Sequence, residues 1–283
     1  MIKDDTIASA LTCAYRQLTH LGEGSRLDAQ VLLARLLGAQ RSYLLTWPER
    51  RLPLSVLMRY RAQIERRAIG YPVAYLTGVR EFWSLELRVT PDTLIPRPET
   101  ERLVEVALAS LAGQERPVAL DLGTGSGAIA LAIASERPDA IIMAVEACPK
   151  ALAVARCNAR RLGLQRIRFL LGNWLEPIGD RRYHFIAANP PYIDPTEPKF
   201  CCAELRFEPP KALLSPQQGL AAIRRIVHTA TANLHRGGTL GLEHGYRQGA
   251  AVRALFQAAG LTRIRTEIDL QGHPRVTVGS LPD

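Results

Sequence analysis

The fold is decided by the stretch "ALDLGTGSGAIA", residues 119–130. Short apolar side chains run up to Gly123 as a buried strand would, and an alanine-rich helical pattern starts just beyond Gly127. Between them, the loop Gly123, Thr124, Gly125, Ser126, Gly127 alternates glycine with a small hydroxyl. Glycines at such a junction let the backbone take positive φ and approach a ligand closely. The spacing is G-x-G-x-G, whereas the dinucleotide fingerprint is G-x-G-x-x-G. Asp121 stands just before the loop, and Glu146 ends the next strand-like run, "AIIMAVE", where an acid can hydrogen-bond ribose hydroxyls. A glycine turn in any α/β domain is the plain alternative. Strand, loop, helix, strand and acid in this order favour an adenosine site.

The charge beside the loop discriminates between ligands. A pyrophosphate sits well on a helix N-terminus, but Asp121 would repel it and would hold an ammonium group instead. That favours S-adenosylmethionine over a nicotinamide dinucleotide.

Outward from the loop, residues 117–283 alternate strand and helix patterns, which argues for a mostly parallel, doubly wound α/β sheet. The final strands "RIRTEIDL" and "RVTVG", separated by "QGHP", suggest an antiparallel hairpin at the sheet edge. Toward the N-terminus the pattern is helical. "RLDAQVLLARLLG" has Ser25 available as N-cap and Gly38 as a stop, and "LSVLMRYRAQIERRAIG" ends at Gly70. "EFWSLELRVT" alternates like a strand pair, and the prolines 91, 96 and 98 of "TPDTLIPRPET" read as a stiff linker. The expected division is a helical domain over 1–80, a β-hairpin and Pro-rich linker over 81–98, and the sheet domain over 99–283.

A second stretch carries chemistry. In "AANPPYID", residues 187–194, the run "YHFIAA" must stop at Pro190 and Pro191, which cannot continue a central strand. Asn189 is left at its tip with Tyr192 close by. An Asn-Pro pair is also an ordinary turn starter, so turn and site both remain open on this stretch alone.

Composition excludes several classes. No run of 18 apolar residues occurs, so no membrane span is expected. Asp4 and Asp5 stand where a secretory signal would want basic residues, so the protein is expected in the cytoplasm. The five cysteines, with Cys201 and Cys202 adjacent, show no CxxC spacing, and neither a disulfide framework nor a metal is expected. The six histidines sit at unrelated positions, and His244 reads as structural. The net charge of +9 permits a nucleic-acid or ribosome-related partner. It is spread out, however, with +5 on residues 1–98 and no dense basic run.

Taken together, "RLDAQVLLARLLG", "YLTGVREFW", "LIPRPETE", "DLGTGSGAIA", "NPPYI", "RFEPPKAL" and "LEHGYRQG" resemble the bacterial release-factor glutamine methyltransferases, the HemK (PrmC) family, from about residue 25 to the end. The resemblance implies a Rossmann-like S-adenosylmethionine-dependent methyltransferase sheet with a small N-terminal helical domain that binds the partner. It implies methylation of the side-chain amide nitrogen of the Gly-Gly-Gln glutamine in peptide-chain release factors. The cofactor would lie on Gly123, Thr124, Gly125, Ser126, Gly127, Glu146, Trp174 and Asn189. Asn189 and the Pro190 carbonyl would accept the two amide hydrogens, Pro191 would stiffen the turn, and Tyr192 would lie over the amide plane. For Tyr192 a core aromatic is the alternative, for Trp174 a packed loop residue. Asn173 stands where the family often has Asp, which puts one adenine contact in doubt. Glu208 of "RFEPPKAL" is either near the site or a solvated loop glutamate. The expected partners are release factors, with no membrane, no direct nucleic acid and a monomeric enzyme. Two other readings stand beside this one. An adenine-N6 methyltransferase would share N-P-P-Y but want a concentrated basic face for DNA, and a non-catalytic partner-binding protein could keep the fold.

Overall fold

In the computed structural model, residues 5–197 and 204–283 are described. Cys201 and Cys202 fall outside them. The chain divides into two compact units, one spanning residues 1–78 with 201–207, the other 79–200 with 208–283.

The first unit is helical: α1 (Ile7–Leu18), α2 (Ser25–Leu37), α3 (Arg41–Thr46), α4 (Leu54–Ala68) and α5 (Val73–Thr77). A capping box starts α1, with the Thr6 hydroxyl accepting from the Ser9 N–H and Ser9 Oγ accepting from the Thr6 N–H. Ser25, expected as the cap of α2, is instead its first helical residue; Gly24 takes the cap position without a side-chain bond. Gly38 ends α2 in the left-handed conformation. Ile7, Leu11, Leu18, Leu32, Leu33 and Ile64 bury the facing stripes of α1, α2 and α4. Arg67 is buried and pairs with Asp28 at 2.8 Å and with Glu204 at 2.6 Å.

The second unit begins with an antiparallel pair, β1 (Val79–Phe82) and β2 (Leu85–Arg88). It continues through α6 (Glu101–Ser110), β3 (Val118–Leu122), α7 (Ala128–Glu136), β4 (Ile141–Glu146), α8 (Pro149–Arg161), β5 (Arg168–Leu171) and β6 (Tyr183–Ala188). It ends with α9 (Pro210–Leu213), α10 (Ala221–Ala230), β7 (Leu234–Glu243), α11 (Gly249–Ala258), β8 (Thr262–Ile268) and β9 (Pro274–Ser280). Seven strands form one sheet in the order β5-β4-β3-β6-β7-β9-β8. β3 to β7 are parallel, and β9 runs against both β7 and β8.

The alternation of side chains sets two apolar layers. Ala119, Ile142, Phe185 and Val276 face Leu103, Val104, Ile129 and Leu131 of α6 and α7. Leu120, Met143, Ile186 and Leu240 face Ile223, Ile226, Val252 and Phe256 of α10 and α11. Because both faces are covered, the central strands are nearly continuous apolar runs. The sheet is therefore the mostly parallel α/β sheet that the sequence implies.

The stretch expected to be a linker does not hang free. Thr93, Ile95 and Thr100 are all buried, and the chain passes from Pro98–Thr100 directly into α6. Apolar Leu94 and Ile95 and a helix start at Pro98 explain why it packs.

No helix among the described residues is long and apolar enough to cross a membrane.

Candidate functional site

Strand order creates the site. β3 is flanked by β4 on one side and β6 on the other, with Leu122 beside both Val145 and Ala188. The connection after β3 goes one way and the later return comes in on the other side, so the sheet has its switch point between β3 and β6. A crevice opens there at the carboxyl ends of the strands. The glycine loop, Glu146 and Asn189 all emerge at that edge, although 66 residues separate Gly123 from Asn189 in the chain.

A cavity of about 620 Å³ occupies the crevice. Gly123, Gly125, Glu146, Asn173, Trp174, Asn189 and Pro191 line it, closed further by residues 91–94 and 209–212. Thr124, Ser126 and Gly127 do not line it. The Thr124 hydroxyl donates to Asp121 at 2.5 Å, and the Ser126 carbonyl accepts from Asn158. Gly127 starts α7 at φ +91°, where a Cβ would lie 2.8 Å from Leu131. Gly125 differs. Its φ is +57°, and a Cβ built on it would meet no atom within 4 Å.

Two carboxylates serve the loop. Glu146 accepts the Gly125 N–H at 2.9 Å through Oε2 and the Cys148 N–H at 2.8 Å through Oε1. Asp121 is almost fully buried and accepts from Thr124 and the Ala130 N–H through Oδ2. Its Oδ1 is buried with no hydrogen-bond partner. Burial pushes the Asp121 carboxyl up to about 7, against the hydrogen bonds from Thr124 and Ala130, with the Glu146 charge adding to the rise.

Beyond β6, Asn189 Nδ2 donates to the Thr100 hydroxyl at 3.0 Å, and Thr100 donates to Glu243 Oε2 at 2.6 Å. Tyr192 packs against the apolar layer under α10 and α11, and its hydroxyl donates to Glu243 Oε1 at 3.2 Å. Pro190 is buried; neither it nor Tyr192 lines the cavity, whereas Pro191 does. Burial, followed by the Glu243 charge, raises the Tyr192 phenol well above its ordinary value.

Other side chains receive definite places. Trp174 lies against the loop, with its ring 3.2 Å from where a Gly123 Cβ would be. Glu208 is not a solvated glutamate: it is buried, accepts the Ile95 N–H at 3.0 Å and pairs with Arg97. His244 is fully buried, with Nε2 2.8 Å from the Thr277 hydroxyl. Sequence reasoning missed Thr100, Glu243 and the 91–94 wall. The proline cluster was the signal for the last, since rigid backbone suits a pocket wall as well as a linker.

A doubly wound sheet with a glycine loop and an Asn-Pro-Pro-Tyr turn on one cavity defines a Rossmann-type methyltransferase, and residues 104–217 match the family described as Methyltransferase small domain. Residues 9–78 match the PrmC N-terminal domain. The chain belongs to the release factor glutamine methyltransferase family. It is 47% identical over 276 residues to the release factor glutamine methyltransferase of Vibrio cholerae serotype O1, covering 97% of this chain and 96% of that one. With the release factor glutamine methyltransferase of Escherichia coli K12 the identity is 45% over 257 residues, 91% of this chain and 92% of the relative. Among solved structures, a methyltransferase from Pyrococcus furiosus shares the fold with a TM-score of 0.51 at 16% identity, over 70% of this chain and 90% of that one. The T. thermophilus 16S rRNA N2 G1207 methyltransferase, in complex with AdoMet and guanosine, does so with a TM-score of 0.53 at 18% identity, over 72% of this chain and 49% of that one.

Proposed function

We propose that the protein methylates the side-chain amide nitrogen (N5) of the Gly-Gly-Gln glutamine in peptide-chain release factors, with S-adenosylmethionine as methyl donor. One observation carries the reading: the glycine loop and Asn189 line the same cavity at the switch point of the sheet.

The residues present fit the donor. The unpartnered Asp121 Oδ1 and the nearby Glu146 make the loop hostile to phosphate and hospitable to an ammonium group. Gly125 leaves open the space a side chain would fill. Glu146, Trp174 and Asn173 line the cavity, which supports assigning the ribose hydroxyls to Glu146 and the adenine to Trp174 and Asn173. When bound, S-adenosylmethionine supplies an electrophilic methyl group on a sulfonium, which becomes a neutral thioether once the methyl is lost.

The acceptor is the harder half. An amide nitrogen is a weak nucleophile because its lone pair is delocalised into the carbonyl. The chain's own contribution is therefore orientation, which can be worth on the order of 100-fold per ~1 Å of placement. Asn189 Oδ1 and the Pro190 carbonyl take one amide hydrogen each and turn the nitrogen lone pair toward the methyl. The two prolines hold that carbonyl still. After the new N–C bond has formed, the strongly acidic N-protonated amide gives its proton to water, so no strong base is needed.

The helical unit is the proposed grip on the body of the release factor. It exposes Leu45, Trp47, Leu54 and Met58, large apolar side chains that a partner can cover. Release factors work in the cytoplasm, which is where we place the reaction. Incubation with labelled S-adenosylmethionine and a bacterial cytoplasmic extract should label a release factor. Label found in nucleic acid, with no release factor labelled, overturns the reading.

A further inference from the structure

We infer that the buried pair Thr100 and Glu243 sets the polarity of the Asn189 amide, so that its oxygen and not its nitrogen meets the substrate. The inference rests on the glutamine-methylation reading above and adds two positioning residues to it.

The two ends of an asparagine amide are nearly the same size, so packing alone does not choose between them. Hydrogen-bond supply does. An ionised Glu243 offers only acceptors, and it is almost fully buried. Thr100 stands 2.6 Å from Oε2 and Tyr192 stands 3.2 Å from Oε1, each donating its hydroxyl proton. Thr100 has only one such proton. With that proton directed at Glu243, its oxygen can do nothing but accept, and Asn189 Nδ2 at 3.0 Å provides the donor. The reversed amide would set the Asn189 oxygen against the Thr100 oxygen, acceptor against acceptor. It would also turn an NH2 group toward the substrate's own NH2, donor against donor. The relay from Glu243 through Thr100 removes that alternative before any substrate arrives.

The relay requires a charged Glu243. The groups facing it are Thr100 and Glu99 from the turn before α6, Tyr192 from the loop after β6, and Arg275 from β9. Arg275 is itself paired with Asp269 at 3.1 Å, and His244, the next residue, is turned away to Thr277. Burial pushes the Glu243 carboxyl up to about 7, opposed by the hydrogen bonds from Thr100 and Tyr192 and by Arg275, while Glu99 adds to the rise. Once protonated, Glu243 can donate to Thr100. The Thr100 proton is then free to turn toward Asn189, and the amide can reverse. With donor saturating, so that Asp121 and donor affinity do not enter, kcat should therefore carry an acid limb near neutral pH.

The test compares wild-type protein with Thr100→Val, Thr100→Ser and Glu243→Gln. Each is assayed for S-adenosylmethionine affinity by calorimetry, and for kcat and KM on a release factor from mildly acidic to mildly alkaline pH. Thr100→Val should lower kcat by about ten- to a hundredfold, the scale of a misplaced reacting group, with donor affinity and KM changed by no more than about twofold. Thr100→Ser keeps the hydroxyl and should recover most of the loss. Glu243→Gln should flatten the acid limb. Undiminished kcat in Thr100→Val, an equal loss in Thr100→Ser, or an unchanged acid limb in Glu243→Gln overturns the inference. If Thr100→Val does not fold, the serine variant and the pH profile still decide. A wild-type protein that methylates no release factor refutes the function reading instead, and takes this inference with it.

Discussion

Gly125 and Gly127, two residues apart in one loop, separate ligand binding from folding. At Gly125 a new Cβ meets no atom within 4 Å and the φ is +57°. Gly125→Val therefore costs the fold only the left-handed backbone, about 1–2 kcal/mol, a few degrees of melting temperature. Its side chain instead enters the cavity that the donor must fill. Loss of close backbone approach there should weaken S-adenosylmethionine binding by at least about a hundredfold, roughly 2.8 kcal/mol. Gly127→Ala is the converse. Its Cβ would stand 2.8 Å from Leu131 Cδ1 and 3.4 Å from Ala155 Cβ at φ +91°, away from the cavity lining. Backbone strain of about 1–2 kcal/mol and overpacking of about 1–3 kcal/mol add to roughly 2–5 kcal/mol. At about 2–4 °C per kcal/mol for a unit of this size, the melting temperature should fall by roughly 4–20 °C. Calorimetric titration and thermal melts on both variants decide. Unchanged affinity in a folded Gly125→Val protein, or a larger melting loss for Gly125→Val than for Gly127→Ala, refutes the reasoning.

Other outcomes follow from the same geometry. Asn189→Ala removes one amide acceptor, so single-turnover rates should fall at least about a hundredfold while calorimetry finds donor affinity far less changed. Asp121 is raised on folding, so the stability it contributes is full below its unfolded value near 4 and is lost as pH rises through about 7. Ligand-free Asp121→Asn should thus melt above the parent at alkaline pH, the gap closing as pH falls, and should bind S-adenosylmethionine more weakly. Glu208→Ala leaves the Ile95 N–H and the half-exposed Arg97 without their partner. It should destabilise the sheet unit by about 2–3 kcal/mol in denaturant melts, discounted from a fully buried pair, with Glu208→Gln milder. The +5 charge on residues 1–98 predicts that release-factor association weakens as salt rises.

What the sequence made legible was contiguous. The strand before Gly123, the loop and the helix after it lie within one short run, and so does Asn189 with its prolines. The two separated acids, Asp121 and Glu146, were legible as partners of the loop, and both bond to it or to the helix beyond. The rest depends on distant pairings. Thr100 meets Asn189 across 89 residues and Glu243 across 143, and Ile95 meets Glu208 across 113. Local patterns hold no trace of such partners, so the proline-rich stretch reads as a linker although it walls the cavity. Ser25 shows the smaller failure: the cap preference was sound, but the helix begins one residue earlier than the serine needs, at the cost of that bond. Tyr192 shows another kind. An aromatic next to an Asn-Pro-Pro turn can face either way, and in the structure its ring joins the apolar layer while its hydroxyl reaches Glu243.

The central claim is that the cavity holding Asn189 methylates a glutamine amide in a release factor. The direct measurement offers the protein a release factor, the same factor with its Gly-Gly-Gln glutamine changed to alanine, and double-stranded DNA, each with S-adenosylmethionine. Mass spectrometry should find a single added methyl on that glutamine, none on the alanine variant and none on DNA. Methylated adenine in the DNA beside an unmodified release factor would contradict the account.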